Sequence, residues 1–207
     1  VFVFITPNTR HPLSALNPLM TVGEQIDEAM QAHGVGTPTF RRERAIELLT
    51  EVGLPNPELM YHQYPFRLSG GQRQRVMIAM ALALEPSILI ADEPTTALDV
   101  TTQAQILTLI RDIQRRKGMS VMFITHDFGV VAEIADSVVV MEKGHVVESG
   151  TASEVLQTPS HPYTQRLIAA VPHLTGTNRT PLQTAGKDPV LKVEGLVKTY
   201  RSGSRLF

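Results

Sequence analysis

Two carboxylates, Asp92 and Glu93, stand side by side at the end of the apolar run Ser87-Ile88-Leu89-Ile90-Ala91, and Pro94 follows them. A second apolar run, SVMFIT, leads to His126. In open α/β sheets ligands collect beyond the carboxyl ends of the strands, so residues leaving two such runs are candidates for one site. A metal bound to a triphosphate takes hard oxygen ligands, which suits Asp92 at a strand end. Glu93, one residue further out, is placed to orient and polarise an attacking water, and His126 to contact a γ-phosphate and stabilise developing charge. Upstream, Leu68-Ser69-Gly70-Gly71-Gln72 opens a helical pattern, where exposed backbone N–H groups and a helix N-terminus can face an anion. Each piece also has a plainer explanation. An Asp-Glu pair after a strand is commonly a solvated turn, a lone histidine is commonly a loop residue, and Ser69 before two glycines makes an ordinary helix cap.

The elements that must hold these residues are legible from periodicity. Thr21 and Glu24 have capping-box spacing ahead of VGEQIDEAMQAH, and Gly34 and Gly36 break the chain after it. RERAIELLTEV follows, with Ile46, Leu49 and Val52 on one face and Gly53 as its stop, and a short third helix is expected from about Pro57 to Gln63. Together these form a small helical subdomain, about residues 13–67. From Gln72 to Leu84, Val76, Ala79, Met80 and Ala83 predict an amphipathic helix. SILIA, continuously apolar, predicts a parallel strand covered on both faces. Ile106, Leu109, Ile110 and Ile113 predict a helix over 101–117 with Gly118 as its C-cap, and SVMFIT a second strand, which gives a right-handed strand-helix-strand crossover. A short helix up to Ala135 and a hairpin of SVVVM and HVVESG follow, and residues 172–189 are turn-rich and polar, a linker.

Composition sets the limits. At 207 residues, 43% hydrophobic and 19% charged, the chain suits a soluble globular core. A net charge of -1 with interspersed signs gives no global electrostatic case for nucleic acid, which usually needs a basic face, and leaves room only for local patches. With no cysteine, disulfides, thiolate-bound zinc and thiol catalysis are excluded, and the seven histidines form no HExxH pattern. The opening VFVFITPNTRH is too short an apolar run for a membrane span or secretory signal and is expected to be a buried strand cut from something longer. VLKVEGLVKTYRSGSRLF at the other end resumes strand-like alternation.

Taken together, LSGGQ at 68–72, ILIADE at 88–93, Thr96-Ala97-Leu98-Asp99 and His126 resemble the signature motif, Walker B strand, D-loop and switch histidine of ABC-type ATPases. SALNPLMTVGEQI and THDFGVVAEIADSVVVMEKGHVVESGT resemble the ATPases of oligopeptide, dipeptide and glutathione importers, and HPYTQRLIAAVPHL resembles the segment following their nucleotide domain. The resemblance implies an α/β fold, an incomplete ABC-type P-loop NTPase domain with a parallel sheet core and a helical subdomain. Its divisions would be a partial nucleotide-binding domain over 1–158, with signature to switch histidine at 68–127, an importer-type segment at 159–174, a linker at 175–189, and at 190–207 the first strand of a second nucleotide-binding domain. It implies ATP and Mg2+ as cofactors. Asp92 would be the metal ligand and Glu93 and His126 the catalytic pair, while Leu68, Ser69, Gly70, Gly71, Gln72, Asp99 and Tyr200 would contact nucleotide. For Tyr200, stacking on adenine competes with an ordinary strand tyrosine. The implied partners are a second nucleotide-binding domain in a head-to-tail dimer, transmembrane permease subunits and, indirectly, a periplasmic or extracellular solute-binding protein, at the cytoplasmic face of the inner membrane.

Two departures stand out. No G-x-x-x-x-G-K-[ST] occurs; the Gly186-Lys187 pair is followed by Asp188 and lacks the earlier glycine. Arg10 falls where the family has a magnesium- and water-sensing glutamine, and arginine cannot accept a hydrogen bond. The chain by itself is therefore expected not to hydrolyse ATP. Besides an importer ATPase, a truncated remnant that only docks on a partner and a non-transport ABC ATPase remain open, the latter disfavoured by the absence of a basic patch or long coiled coil.

Overall fold

The computed structural model describes the backbone of residues 2–5 and residues 16–96, 98–171 and 192–198. The chain divides into two units, Val1–Val171 and Pro172–Phe207.

In the first unit, three parallel strands form one sheet, in the order β1 (Phe2–Ile5), β2 (Ile88–Asp92), β3 (Ser120–Ile124). The strand expected at the chain's start is thus present, paired with Ile88 to Ala91. Helices α1 (Val22–Ala32), α2 (Pro38–Glu51) and α3 (Pro57–Tyr61) precede β2, and each boundary has a local cause. Thr21 and Glu24 close a capping box, with Thr21 N–H on Glu24 Oε2 at 2.7 Å and Glu24 N–H on Thr21 Oγ1 at 3.3 Å. Gly34, Gly36 and Gly53 take left-handed φ values, which side chains resist, and chain direction changes there. Ala45, Leu48 and Leu49 are the buried apolar positions of α2, joined by Arg41, and Ile46 is half-buried.

Helix α4 (Gly70–Leu82) departs from expectation. It begins at the two glycines, and it is buried nearly all round: Gln74, Val76, Met77, Ile78, Ala79, Ala81 and Leu82 are all inside. The reason is its position, packed against α1, α2, β1 and the following long helix α5 (Val100–Lys117). One continuous core runs from Val22, Ile26 and Leu48 through Val76 and Ile78 to Leu89, Ile106 and Ile113, so the helical subdomain shares its interior with the sheet. Several polar groups drawn into this interior are matched, although the side-chain nitrogen of buried Gln74 has no hydrogen-bond partner among the described residues. Buried Gln25 accepts from Asn17 N–H at 2.9 Å and donates to the Asn17 carbonyl at 3.1 Å, and Arg41 pairs with Asp27 at 2.7 Å.

Helix α5 ends at Gly118, φ 62°, as its spacing requires. The strands it joins are covered less fully than continuous apolar runs suggest: Leu89 and Ala91 of β2 are buried, but Met122 and Ile124 of β3 are exposed. These two residues share one face of the sheet by period-two alternation, and among the described residues nothing shields them. Helix α6 (Phe128–Ile134) leads to the hairpin β4 (Ser137–Glu142) and β5 (His145–Thr151), turned by Lys143 and Gly144, both at positive φ. Two short helices, α7 (Ala152–Gln157) and α8 (Pro162–Ala169), follow. HPYT, which in isolation reads as a loop, is the start of α8. His161 is its N-cap, its Nδ1 accepting from Tyr163 N–H at 3.2 Å, and Pro162 sits in the first turn, where a missing N–H costs nothing.

In the second unit, residues 192–198 carry no helix or strand. The rest of the segment 190–207, where the first strand of a second domain is expected, lies outside the described residues. The linker residues 172–189 and Tyr200, like Arg10 in the first unit, lie outside the described residues.

Candidate ATP-hydrolysis site

The register between β2 and β3 builds the site. Asp92 is level with Ile124, so both strands end together and the chain leaves each in the same direction. Glu93 extends the ladder by one bond, its N–H on the Ile124 carbonyl at 2.7 Å, and takes a left-handed backbone, φ 46°. A non-glycine residue before proline rarely adopts that conformation, so the surroundings must impose it. They do so through a tight turn, in which Thr96 N–H returns to the Glu93 carbonyl at 3.2 Å and Thr95 is buried.

This conformation brings the Glu93 side chain to His126. Glu93 Oε1 lies 2.6 Å from His126 Nδ1, and Glu93 Oε2 accepts from Thr96 Oγ1 at 2.8 Å. The His126 and Thr96 hydrogen bonds, in that order, hold the Glu93 carboxyl below its ordinary range against a smaller opposing effect of burial. An ionised carboxylate only accepts, so His126 Nδ1 carries the proton facing it and Nε2 is left for another partner. The His126 side chain is 77% exposed, open to such a partner. Asp92 is half-buried at the end of β2. Among the described residues no group of three or more His, Asp and Glu could hold a metal by itself. A single strand-end carboxylate fits a metal that takes its remaining ligands from phosphate and water, the habit of Mg2+.

The loop that follows leads to Asp99. Asp99 caps α5, its Oδ1 accepting from Thr102 N–H at 3.0 Å and its Oδ2 from Thr102 Oγ1 at 2.7 Å, and these bonds lower its pKa. The N-terminus of α4 rests on this loop. A Cβ on Gly71 would stand 2.5 Å from Thr102 Cγ2, and one on Gly70 3.5 Å from Leu98 Cδ2. Gly71 is thus required for close approach. Ser69 is the N-cap of α4 in a full capping box: Gln72 N–H donates to Ser69 Oγ at 3.2 Å, and Gln72 Oε1 accepts from Ser69 N–H at 2.9 Å. The capping explanation for Ser69 therefore holds, and it leaves the first helical N–H groups, Gly70 and Gly71, without intrahelical acceptors. Leu68 is buried and anchors the turn.

Three contacts escape a reading of the sequence, although Thr96 itself falls within the D-loop stretch. Thr96 holds Glu93; Asp127 caps α6, accepting from Gly129 N–H at 2.8 Å; and Gln103 Nε2 of α5 donates to Asp127 Oδ2 at 3.1 Å. Asp127 alone carried a usable signal, an aspartate two residues before a glycine at a helix start. Thr95, Thr96, Leu98, Gln103, Thr125 and His126 line an open cleft of about 210 Å³ beside these groups.

Residues 8–96 match the ABC transporter family, and residues 147–195 the C-terminal region of oligopeptide/dipeptide transporters. The chain is 46% identical to the glutathione import ATP-binding protein GsiA of Salmonella typhimurium, over 96% of this chain and 35% of that protein. It is 53% identical to the oligopeptide transport ATP-binding protein OppD of Lactococcus lactis subsp. cremoris, over 79% of this chain and 48% of that protein. The dipeptide transport ATP-binding protein DppD of Haemophilus influenzae is likewise 53% identical, over 78% and 49%. The chain thus spans about a third to a half of the length of these relatives. Among solved structures, the dimeric ATP-binding cassette MJ0796 in a post-hydrolysis state bound to ADP and Pi superposes with a TM-score of 0.60 at 31% identity, covering 73% of this chain and 62% of that one. By sequence and by fold, the chain belongs to the ABC transporter family, in the branch whose C-terminal region is that of oligopeptide/dipeptide transporters.

Proposed function

We propose that this chain belongs to the ATP-hydrolysing component of an importer that takes up peptides of the oligopeptide, dipeptide or glutathione class. The observation carrying this is the Glu93–His126 contact of 2.6 Å at the common end of two parallel strands, in a chain matching importer ATP-binding proteins on both sides of it. Glu93 accepts a proton from the attacking water and orients it, because its carboxylate is ionised and its backbone fixed. His126 holds the carboxylate through Nδ1 and presents Nε2 to the γ-phosphate. Asp92 would hold magnesium, which would supply positive charge against the negative charge that develops. Gly70 and Gly71 offer N–H groups to a phosphate bound by another domain, with Asp99 beside them at the head of α5. Such a head-to-tail pair of nucleotide domains would drive permease subunits, served by a solute-binding protein, from the cytoplasmic face of the membrane. Among the described residues no helix is long and apolar enough to cross a membrane.

The 207 residues contain no glycine-rich loop with its lysine, and so this chain by itself should release no phosphate from ATP. The same observation favours a second reading, a remnant that docks on a partner without hydrolysis. The deciding experiment supplies a glycine-rich loop upstream and compares Glu93→Gln with the parent. The amide keeps the size and loses the basicity, so turnover should vanish while ATP binding persists. Turnover within about threefold of the parent would remove Glu93 from the water-polarising role.

A further inference from the structure

We propose that Thr96 is a positioning residue that fixes the Glu93 carboxylate at its second oxygen, so that the water-polarising group is held from both sides. This rests on the reading of Glu93 given above. His126 Nδ1 reaches Oε1 at 2.6 Å and Thr96 Oγ1 reaches Oε2 at 2.8 Å. The two donors come from different elements: His126 from the loop after β3, Thr96 from the turn after β2. Glutamate has three side-chain torsions, and one anchor leaves the carboxylate free to pivot about that contact; the second removes the pivot. Thr96 is itself fixed, since its N–H closes the turn on the Glu93 carbonyl at 3.2 Å. One residue thus locks both the backbone and the side chain of Glu93. His126 is largely exposed and able to swing toward a phosphate, and during such a swing Thr96 is the anchor that remains. Thr96 touches no reacting atom, and its effect runs through Glu93 alone.

The test uses Thr96→Val, which keeps the branched shape without the hydroxyl, and Thr96→Ser, which keeps the hydroxyl. In this chain, long-range 1H–15N spectra of the His126 ring report its tautomer. With wild-type protein and Thr96→Ser the Nδ1-protonated form should dominate; in Thr96→Val a freed carboxylate should move the ring shifts toward a tautomer average. In the version supplied with a glycine-rich loop, Thr96→Val should lower kcat roughly tenfold with the KM for ATP within about twofold, as expected when a reacting group is misplaced and substrate binding is not. Thr96→Ser should retain kcat within about twofold. Ring shifts in Thr96→Val identical to wild type would overturn the proposal, as would an unchanged kcat, an effect on KM alone, or a serine variant as slow as the valine one. Full turnover in Glu93→Gln would instead defeat the assignment of Glu93, and the ring spectra would still decide whether Thr96 holds it.

Discussion

At the residue scale, Gly71 shows how one position serves two demands. Its N–H belongs to the start of α4 proposed above to face a phosphate, while its missing Cβ lets α4 approach α5, where that atom would lie 2.5 Å from Thr102 Cγ2. Alanine would ordinarily favour a helix by about 0.5–1 kcal/mol over glycine. Here Thr102 cannot yield by rotating, because its hydroxyl is bound to Asp99 at 2.7 Å. Overpacking of this kind costs roughly 1–3 kcal/mol, so the clash should win and Gly71→Ala should lower Tm by a few degrees, about 2–4 °C per kcal/mol. Adding Thr102→Ser removes Cγ2 and keeps the hydroxyl, and should restore Tm to the parent value or above. A Gly71→Ala chain that melts at or above the parent temperature would refute this packing role. Sequence shows the two glycines as a motif but gives no hint that Thr102 is their neighbour.

At the scale of elements, a single carboxylate joins the hairpin to the importer-type C-terminal region. Glu148 of β5 accepts from Ser160 N–H at 2.7 Å, Ser160 Oγ at 2.8 Å and His161 N–H at 3.2 Å, the residues that start α8. Its pKa is pulled down to about 2, first by the Thr164 hydroxyl, then by the Ser160 and His161 donors. Thr164 is fully buried, and its hydroxyl has no other partner among the described residues. A depressed carboxyl pKa stabilises the folded form above the unfolded value, near 4.5, and that contribution is lost as pH falls toward about 2. An eight-residue helix has little stability of its own, so α8 should loosen in that acid window and in Glu148→Ala at neutral pH. Amide exchange at Ser160 and His161 measures both, and the Glu148 side-chain carbon should titrate near 2; a midpoint near 4.5 would refute the clasp.

For the whole molecule, the question is whether the α4 N-terminus still serves a site in another domain. If it does, mixing this chain with an intact nucleotide domain, ATP and magnesium should give a complex that light scattering or sedimentation detects only with nucleotide. Ser69→Arg should abolish it by filling the phosphate space, but that change also removes a cap worth about 1 kcal/mol. Ser69→Asp and Ser69→Asn separate the effects, since both side chains cap well. The aspartate should block association by facing the triphosphate with negative charge, and the asparagine should be the milder change. Equal association with and without ATP would mean the signature no longer functions. The exposed Met122 and Ile124 on β3 make aggregation the competing outcome to monitor.

Local chemistry alone determined most of the elements. The Thr21–Glu24 capping box, the stops at Gly53 and Gly118, and the Lys143-Gly144 hairpin turn all depend on neighbours within a few residues, which a linear pattern displays. The sequence also placed Asp92, Glu93 and His126 at strand ends. Only tertiary structure decided what happens between them. Glu93 meets His126, 33 positions away, because β2 and β3 end in register and a left-handed backbone turns the carboxylate toward the loop. It likewise decided that α4 is buried nearly all round, that HPYT starts a helix, and that Met122 and Ile124 stay exposed, because burial depends on what packs alongside, and periodicity reports only which residues share a face.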